Sequence, residues 1–454
     1  MAAPAPASAI VRRMATDDEL LRAARRVLDA NWVRHSTVPS RDLYPHQWSW
    51  DSAFIAIGRS WYDQDRAEQE LRSLFDAQWS SGMLPHIVFN ADVPPDAYFP
   101  GPPFWQSSAL GRGAPRTPET SGITQPPIHA RAVLEMHQRA RDRARSHAFL
   151  EELYPRLLAL HRYLSTARDP LGRGLAALVH PWESGLDNSP AWSMVVADLA
   201  IPPDGLPAYE RRDLVNANPA DRPTDDAYDR FVYLAATHRS IGYDDERIAD
   251  VSPFLIAGPL FNAIFLWSCL ALAEIAAELG EDSSPHRSMA DGLRQAMLRE
   301  LWDAGRRRFY SRDLRADELL MESTILSFMP LLDPELPREQ VDAIVSDLST
   351  SCFHPGEDTP HFLVPSADLH GPQFDPRRYW RGPVWINTNW LLCHGLRHHG
   401  QDDLADEVES DILELVRLSG FHEYFDPFGG TGYGSDDFSW SAALVIDLLE
   451  RGAR

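Results

Sequence analysis

Two carboxylates in one short loop are the first residues of this chain that could do chemistry. The stretch His180 to Trp192 reads HPWESGLDNSPAW and sets Glu183 and Asp187 among glycine, asparagine, serine and proline, framed by Trp182 and Trp192, with no arginine or lysine inside it. A carboxyl group in aromatic company loses hydration and tends to be held protonated, the state a general acid needs near neutral pH. A candidate partner, Glu423, lies in Gly420 to Trp440 (GFHEYFDPFGGTGYGSDDFSW), beside Phe421, His422, Tyr424 and Phe425. One carboxyl that protonates a leaving oxygen and one that activates water or attacks a sugar are the elements of glycoside hydrolysis. A plainer role stays open for each. Asp187 precedes Asn-Ser-Pro, a helix-start signal, and loop aspartates commonly satisfy backbone donors or cap helices.

Other chemistries lack their residues. All 43 basic residues are arginine, so no lysine is present to form a Schiff base, anchor pyridoxal phosphate or serve a P-loop. No GxSxG elbow, HExxH pair or GxGxxG after a strand occurs. His394, His398 and His399 could hold a metal by their i, i+4 spacing, but a position at a helix C-terminus explains them better. No metal and no cofactor are expected.

The elements that must position the two carboxylates are helices. Apolar residues recur at helical spacing over 17–29, 66–80, 127–143, 147–166, 252–279, 284–303, 320–331, 337–350, 383–399, 402–418 and 436–451, and Tyr44 to Gly58 passes from an aromatic loop into a further helix. Strand-like alternation is confined to pieces such as Arg308 to Tyr310. Roughly a dozen helices in pairs, with no Gly/Ser linker, predict one all-α domain over 1–454. Two irregular stretches, about 81–126 and 200–228, are long enough to cover a site as lid-like insertions. At the start of the helix within Tyr44 to Gly58, Asp51 could be an N-cap, whereas Trp48 and Trp50 offer flat faces suited to sugars. Arg222, in the second insertion, could grip an anion in a bidentate fork or pair on the surface with Asp221, Asp225 or Asp226.

The formal charge is -23, from 66 acidic against 43 basic residues, which makes nucleic acid and anionic membranes poor partners. No uninterrupted apolar run long enough to cross a bilayer is expected, and MAAPAPASAIVRRMATDDELL lacks a sustained apolar leader. Three scattered cysteines, Cys269, Cys352 and Cys393, suit a reducing compartment, so a cytoplasmic location is expected.

Five motifs in order, YPHQWSWDSAF, GMLPHIVF, HPWESGLDNSPAW, YWRGPVWINTNW and GFHEYFDPFGGTGYGSDDFSW, resemble glycoside hydrolase family 63 from about residue 44 to 440. Within that family they are similar to the compact bacterial enzymes acting on glucosylglycerate and mannosylglycerate. The resemblance implies an (α/α)6 barrel, a toroid of helical hairpins with long loops over one mouth. It also implies an inverting mechanism, with Asp187 as general acid and Glu423 as general base, about 6.5 to 9.5 Å apart to admit a water. It places Tyr44, Trp48, Trp50, Asp51, Gln125, Tyr379, Trp380, Gly382 and Trp385 around the sugar, and Tyr98, Arg222 and Tyr228 at the glycerate end. A local arginine is physically apt there, because a protein so acidic offers a carboxylate no favourable general field.

The resulting expectation is hydrolysis of glucosylglycerate or mannosylglycerate to free sugar and glycerate, by a protein that could be a homo-oligomer. One alternative keeps the mechanism and takes a neutral α-disaccharide or oligosaccharide. Another, of a different class, is a non-catalytic carbohydrate-binding protein.

Overall fold

The computed structural model describes residues 16–215, 217–354 and 361–452, so the segment 1–15, where no leader was read, lies outside the described residues. Helices dominate it, and in chain order they alternate between two positions. Helix α1 (Asp17–Ala30) is followed by α2 (Ser49–Arg59), α3 (Gln64–Asp76) by α4 (His129–Arg139), and α5 (Arg143–Thr166), after the intervening α6 (Asp225–Ser240), by α7 (Pro259–Glu278). Then α8 (Ser284–Glu300) leads to a 3-10 segment, Ile325–Leu332, α9 (Arg338–Leu348) to α10 (Ile386–His398), and α11 (Asp402–Ser419) to α12 (Ser439–Gly452).

The second members of these pairs form a closed circuit. Helix α2 packs on α4, α4 on α7, α7 on the 3-10 segment, that segment on α10, α10 on α12, and α12 back on α2. The first members pack outside them: α1 on α12, α3 on α2, α5 on α4, α8 on α7, α9 on the 3-10 segment and α11 on α10. The sequence encodes the two positions differently. Every residue of α2 is buried, whereas α1 buries only Leu20, Ala24, Val27 and Leu28 along one stripe. An all-round apolar helix belongs inside and a striped one outside. Helix α7 is the extreme case, and here the structure corrects the reading of the apolar runs. By length and hydropathy Pro259–Glu278 would suffice to cross a membrane, yet 83% of its most apolar window is buried inside the molecule.

Local signals set the outer helices. Thr16 and Glu19 form a reciprocal capping box at the start of α1, and Asp63 and Asp142 accept backbone N–H bonds at the starts of α3 and α5. Three expectations are revised. Residues 252–258 are not helical but carry a strand, Ile256–Ala257. The helix expected over 320–331 is a strand at Glu318–Leu320 followed by the 3-10 segment, which contains Pro330, a residue without the N–H that an α-helix interior needs. Helix α6 was not anticipated, and its first residues end the irregular stretch at Thr224, whose hydroxyl caps it.

Short antiparallel strands deliver the motif loops. Gln47–Trp48 pairs with Ile87–Val88, and Tyr424–Phe425 with Gly432–Tyr433. Ala177–Leu178 is the edge of a four-stranded sheet with Ile256–Ala257, Ser311–Asp313 and Glu318–Leu320, and runs straight into the His180 loop. The motif residues therefore meet at the N-terminal ends of α2, α4, α10 and α12.

Candidate active site

The His180 loop separates its two carboxylates. Glu183 turns away from solvent and meets Arg168, whose Nη2 and Nη1 donate to Oε1 at 2.7 Å and Oε2 at 3.2 Å. The backbone N–H groups of Val179 (2.8 Å) and Thr124 (3.3 Å) complete its coordination, and Arg168 Nε donates in turn to the Tyr163 hydroxyl at 2.7 Å. Glu183 is thus a fully satisfied anchor that fixes the loop to the core. Asp187 emerges on the opposite side into a cavity. Its backbone carbonyl accepts from Trp192 Nε1 at 3.0 Å, which leaves the carboxyl facing open space. Burial raises its pKa to about 7, against a pull downward from the Arg222 guanidinium, so near neutral pH much of it carries its proton.

The cavity has two chambers that share Tyr44, Trp48, Asp187 and Tyr379. The inner one adds Trp50, Asp51, Gln125, Gly185, Glu423, Phe438 and Trp440. The outer one adds His86, Tyr98, Phe99, Trp182, Asp213, Arg222 and Tyr228. Their volumes, about 30 and 50 Å³, hold a few waters each.

Glu423 accepts a hydrogen bond at each of its carboxylate oxygens. The Tyr44 hydroxyl donates to its Oε1 at 2.8 Å and the Ser435 N–H to its Oε2 at 3.3 Å. Arg222 Nη1 donates to the Tyr44 hydroxyl at 2.7 Å and stands 3.8 Å from Glu423 Oε1. Burial pushes the Glu423 pKa up, while Arg222, Tyr44 and the Ser435 N–H favour its charged form. Gly434 permits this arrangement: it adopts φ +70°, and a Cβ there would stand 2.3 Å from Glu423 Oε2. On the other wall Gly185, at φ +74°, lets the Asp187 loop close on Trp50, whose ring a Cβ would meet at 2.5 Å.

Asp51 does not cap α2. Trp48 occupies the N-cap position and Asp51 lies in the first turn, lining the inner chamber, with its pKa raised by burial and by the nearby carboxylates Glu423 and Glu70. Gln125 accepts from the Trp50 N–H at 3.2 Å and so ties the start of α2 to the segment before α4. Arg222 is no surface residue: its partners are Tyr44, Asp213 and the face of Tyr379, 4.4 Å from its ring centre. The indole N–H groups of Trp48 and Trp440 are buried with no hydrogen-bond partner among the described residues, and both rings line the inner chamber.

Of the residues the motifs implied, three stand behind the wall instead of lining it. Trp380 and Trp385 stack face to face at 3.6 Å, Trp385 also stacks on Tyr424 at 4.5 Å, and its Nε1 donates to the Tyr379 carbonyl at 3.1 Å. The Trp380 N–H donates to Asn188 Oδ1 at 3.0 Å and the Gly382 N–H to Ser366 Oγ at 3.0 Å. They brace Tyr379 and the Asp187 loop. His86, Asp213 and Trp440 also line the chambers, beyond the residues the motifs implied. Trp440 was signalled, because it closes the Glu423 motif. The three histidines near residue 398 sit elsewhere, His394 beside Arg451 and His399 on the Leu331 carbonyl, and no group of three potential metal ligands occurs among the described residues.

The chain is similar over nearly its whole length to known glycoside hydrolases. A family model described as the mannosylglycerate hydrolase MGH1-like glycoside hydrolase domain matches residues 44–441. A mannosylglycerate hydrolase of Rubrobacter radiotolerans is 42% identical over 435 residues, 96% of this chain and 98% of that protein. A glucosylglycerate hydrolase of Mycolicibacterium hassiacum is 39% identical over 449 residues, again 96% and 98% of the two chains. The crystal structure of a family 63 mannosylglycerate hydrolase of Thermus thermophilus in complex with Tris and D-glycerate superposes with a TM-score of 0.86 at 41% identity, covering 94% of this chain and 99% of that one. The resemblance read from the five motifs is borne out.

Proposed function

We propose the reaction from the premise that this chain belongs to the mannosylglycerate hydrolase MGH1-like glycoside hydrolase family. It hydrolyses an α-glycoside of glycerate, glucosylglycerate or mannosylglycerate, to the free sugar and glycerate with inversion at the anomeric carbon. The observation that carries this is one cavity holding a carboxyl poised near pH 7, Asp187, a hydrogen-bonded carboxylate, Glu423, and a buried arginine, Arg222. In this reading Asp187 gives its proton to the glycosidic oxygen. Glu423 takes a proton from the water that attacks the opposite face of the sugar. The sugar occupies the inner chamber, between Trp48 and Trp50, with Asp51 and Gln125 toward its hydroxyls. The glycerate lies in the outer chamber, its carboxylate toward Arg222 and its hydroxyls toward Tyr98 and Tyr228.

The closed circuit of helices supports an (α/α)6 barrel whose fourth inner element is a 3-10 segment. The stretches 81–126 and 200–228, which bring Tyr98 and Arg222 to the cavity, act in this reading as lids. In this reading those loops open for the substrate to bind and close over it.

The test is to mix the protein separately with glucosylglycerate, mannosylglycerate, trehalose and kojibiose and follow the anomeric protons by NMR from the first minutes. The β-anomer of glucose or mannose, released first from a glycerate substrate alone, is the expected result. Initial release of the α-anomer would overturn inversion, and turnover of only the neutral disaccharides would overturn the glycerate assignment.

A further inference from the structure

Behind the outer chamber stands a second arginine that never reaches the cavity. Arg211 directs its donors to the segment that carries Arg222: Nε and Nη2 grip both oxygens of Asp213, at 3.0 Å to Oδ1 and 2.7 Å to Oδ2, and Nη1 reaches the Pro223 carbonyl at 2.9 Å and Asp225 at 2.8 Å. The face of its guanidinium lies 4.3 Å from the centre of the Tyr228 ring. Asp213 is shared, because its Oδ2 also accepts from Arg222 Nε at 3.3 Å. Arg222 then donates from Nη1 to Tyr44, while its Nη2 makes no hydrogen bond among the described residues.

The charge on this chain of groups decides what Arg222 can do. Were Asp213 paired with Arg222 alone, the pair would be neutral, and the nearby Glu423 would leave a substrate carboxylate facing net negative charge. With Arg211 on its far side, Asp213 is neutralised twice over and the triad carries one net positive charge; Asp225, which also pairs with Arg211, is exposed, and water screens its charge from the chamber. We infer that Arg211 and Asp213 are positioning residues that keep the Arg222 cation available to a carboxylate-bearing aglycone, so that the selectivity of the outer chamber for an acid is set one residue behind its wall. The inference rests on the glycerate reading above. It concerns how the acid is recognised: the planar fork of Arg211 holds Asp213 in two parallel bonds and cannot be replaced by a point charge.

The experiment is calorimetric titration of D-glycerate into the wild-type protein and into Arg211→Met, Asp213→Asn and the double variant. Charge arithmetic predicts an order that a merely structural role does not. Arg211→Met lets Asp213 cancel Arg222 and weakens binding about tenfold or more. Asp213→Asn removes the competing carboxylate, leaves an amide oxygen for Arg222 Nε, and binds within about threefold of wild type or tighter. The double variant restores one net positive charge and recovers most of the affinity lost in Arg211→Met. A double variant weaker than Arg211→Met, or an Arg211→Met indistinguishable from wild type, overturns the inference. Wild-type protein that binds no D-glycerate overturns the reading of the substrate itself, so the two failures are separable.

Discussion

Four residues apart in one loop, Glu183 is buried and Asp187 half-buried, and the two end in opposite conditions. Glu183 faces inward to a bidentate arginine and two backbone N–H groups, four hydrogen bonds in all. Asp187 faces a cavity whose cation, Arg222, is engaged with Tyr44 and Asp213. The protein thus uses a fully buried ion pair to hold the loop still and leaves the neighbouring acid under-satisfied. An under-satisfied acid is the one that can give up a proton and take it back.

The largest effect expected from breaking this contrast is catalytic. Asp187→Asn and Glu423→Gln each lower kcat for the true substrate by about 10³- to 10⁴-fold, roughly 4 to 5.5 kcal/mol of transition-state stabilisation, with the fold retained by circular dichroism. A loss of only a few-fold in either would remove that residue from the mechanism. Next comes the anchor. Glu183→Gln leaves Arg168 buried beside an amide, so global stability falls by about 3 to 5 kcal/mol in urea melts. Unchanged stability would mean that the anchor contributes nothing to the loop.

A smaller effect sharpens the comparison through pH. A general acid works protonated, so kcat/KM falls as pH rises through about 7, the value set by burial of Asp187, by roughly tenfold per unit above it. Activity at low pH is lost as Glu423 takes up a proton, at a pH above the ordinary glutamate range because burial raises it. An alkaline limb that stays in place in Asp187→Glu but vanishes in a variant of another residue would assign the acid elsewhere.

Much of this site was legible because its chemistry is written in residue types that loops rarely combine. Carboxylates and tryptophans recur in Tyr44 to Asp51, His180 to Trp192 and Gly420 to Trp440, the last two with glycines, and the structure brings Tyr44, Trp48, Trp50, Asp51, Gln125, Asp187, Tyr379 and Glu423 to one chamber. What the sequence hid is pairing over distance. Nothing local says that Arg168 belongs to Glu183, or that Arg222 meets Tyr44 across 178 positions. Trp380 and Trp385 show the limit of reading motifs by composition, since an indole that stacks on a sugar and one that braces a wall look the same in a string. Helix α6 was missed despite Thr224-Asp225-Asp226 and the apolar set Tyr228, Phe231, Leu234 and Ala235 at helical spacing, because the proline-rich run before it drew the whole region into one irregular stretch. The 3-10 segment shows the converse: helical spacing in Ile325–Leu332 marks an inner position of the fold without fixing the hydrogen-bond pattern.

The smallest effect tests the cost of leaving Asp187 unsatisfied. Its folded-state pKa, about 7, lies above the ordinary aspartate value of 3.8, so between those values the folded chain holds a proton that the unfolded chain releases. By linkage its contribution to stability falls as pH rises from about 4 through 7, and above 7 the folded protein bears the whole penalty of an ionised, poorly solvated carboxyl. Asparagine bears none. Asp187→Asn should therefore gain on wild type between pH 5 and pH 8, ending more stable at pH 8 by about 1 kcal/mol, less than the full shift would imply because the side chain opens on a solvated chamber. Paired urea melts at the two pH values measure that change. A variant that loses ground as pH rises would mean that Asp187 is held by a cation when ionised, as Glu183 is, and that the two carboxylates are alike after all.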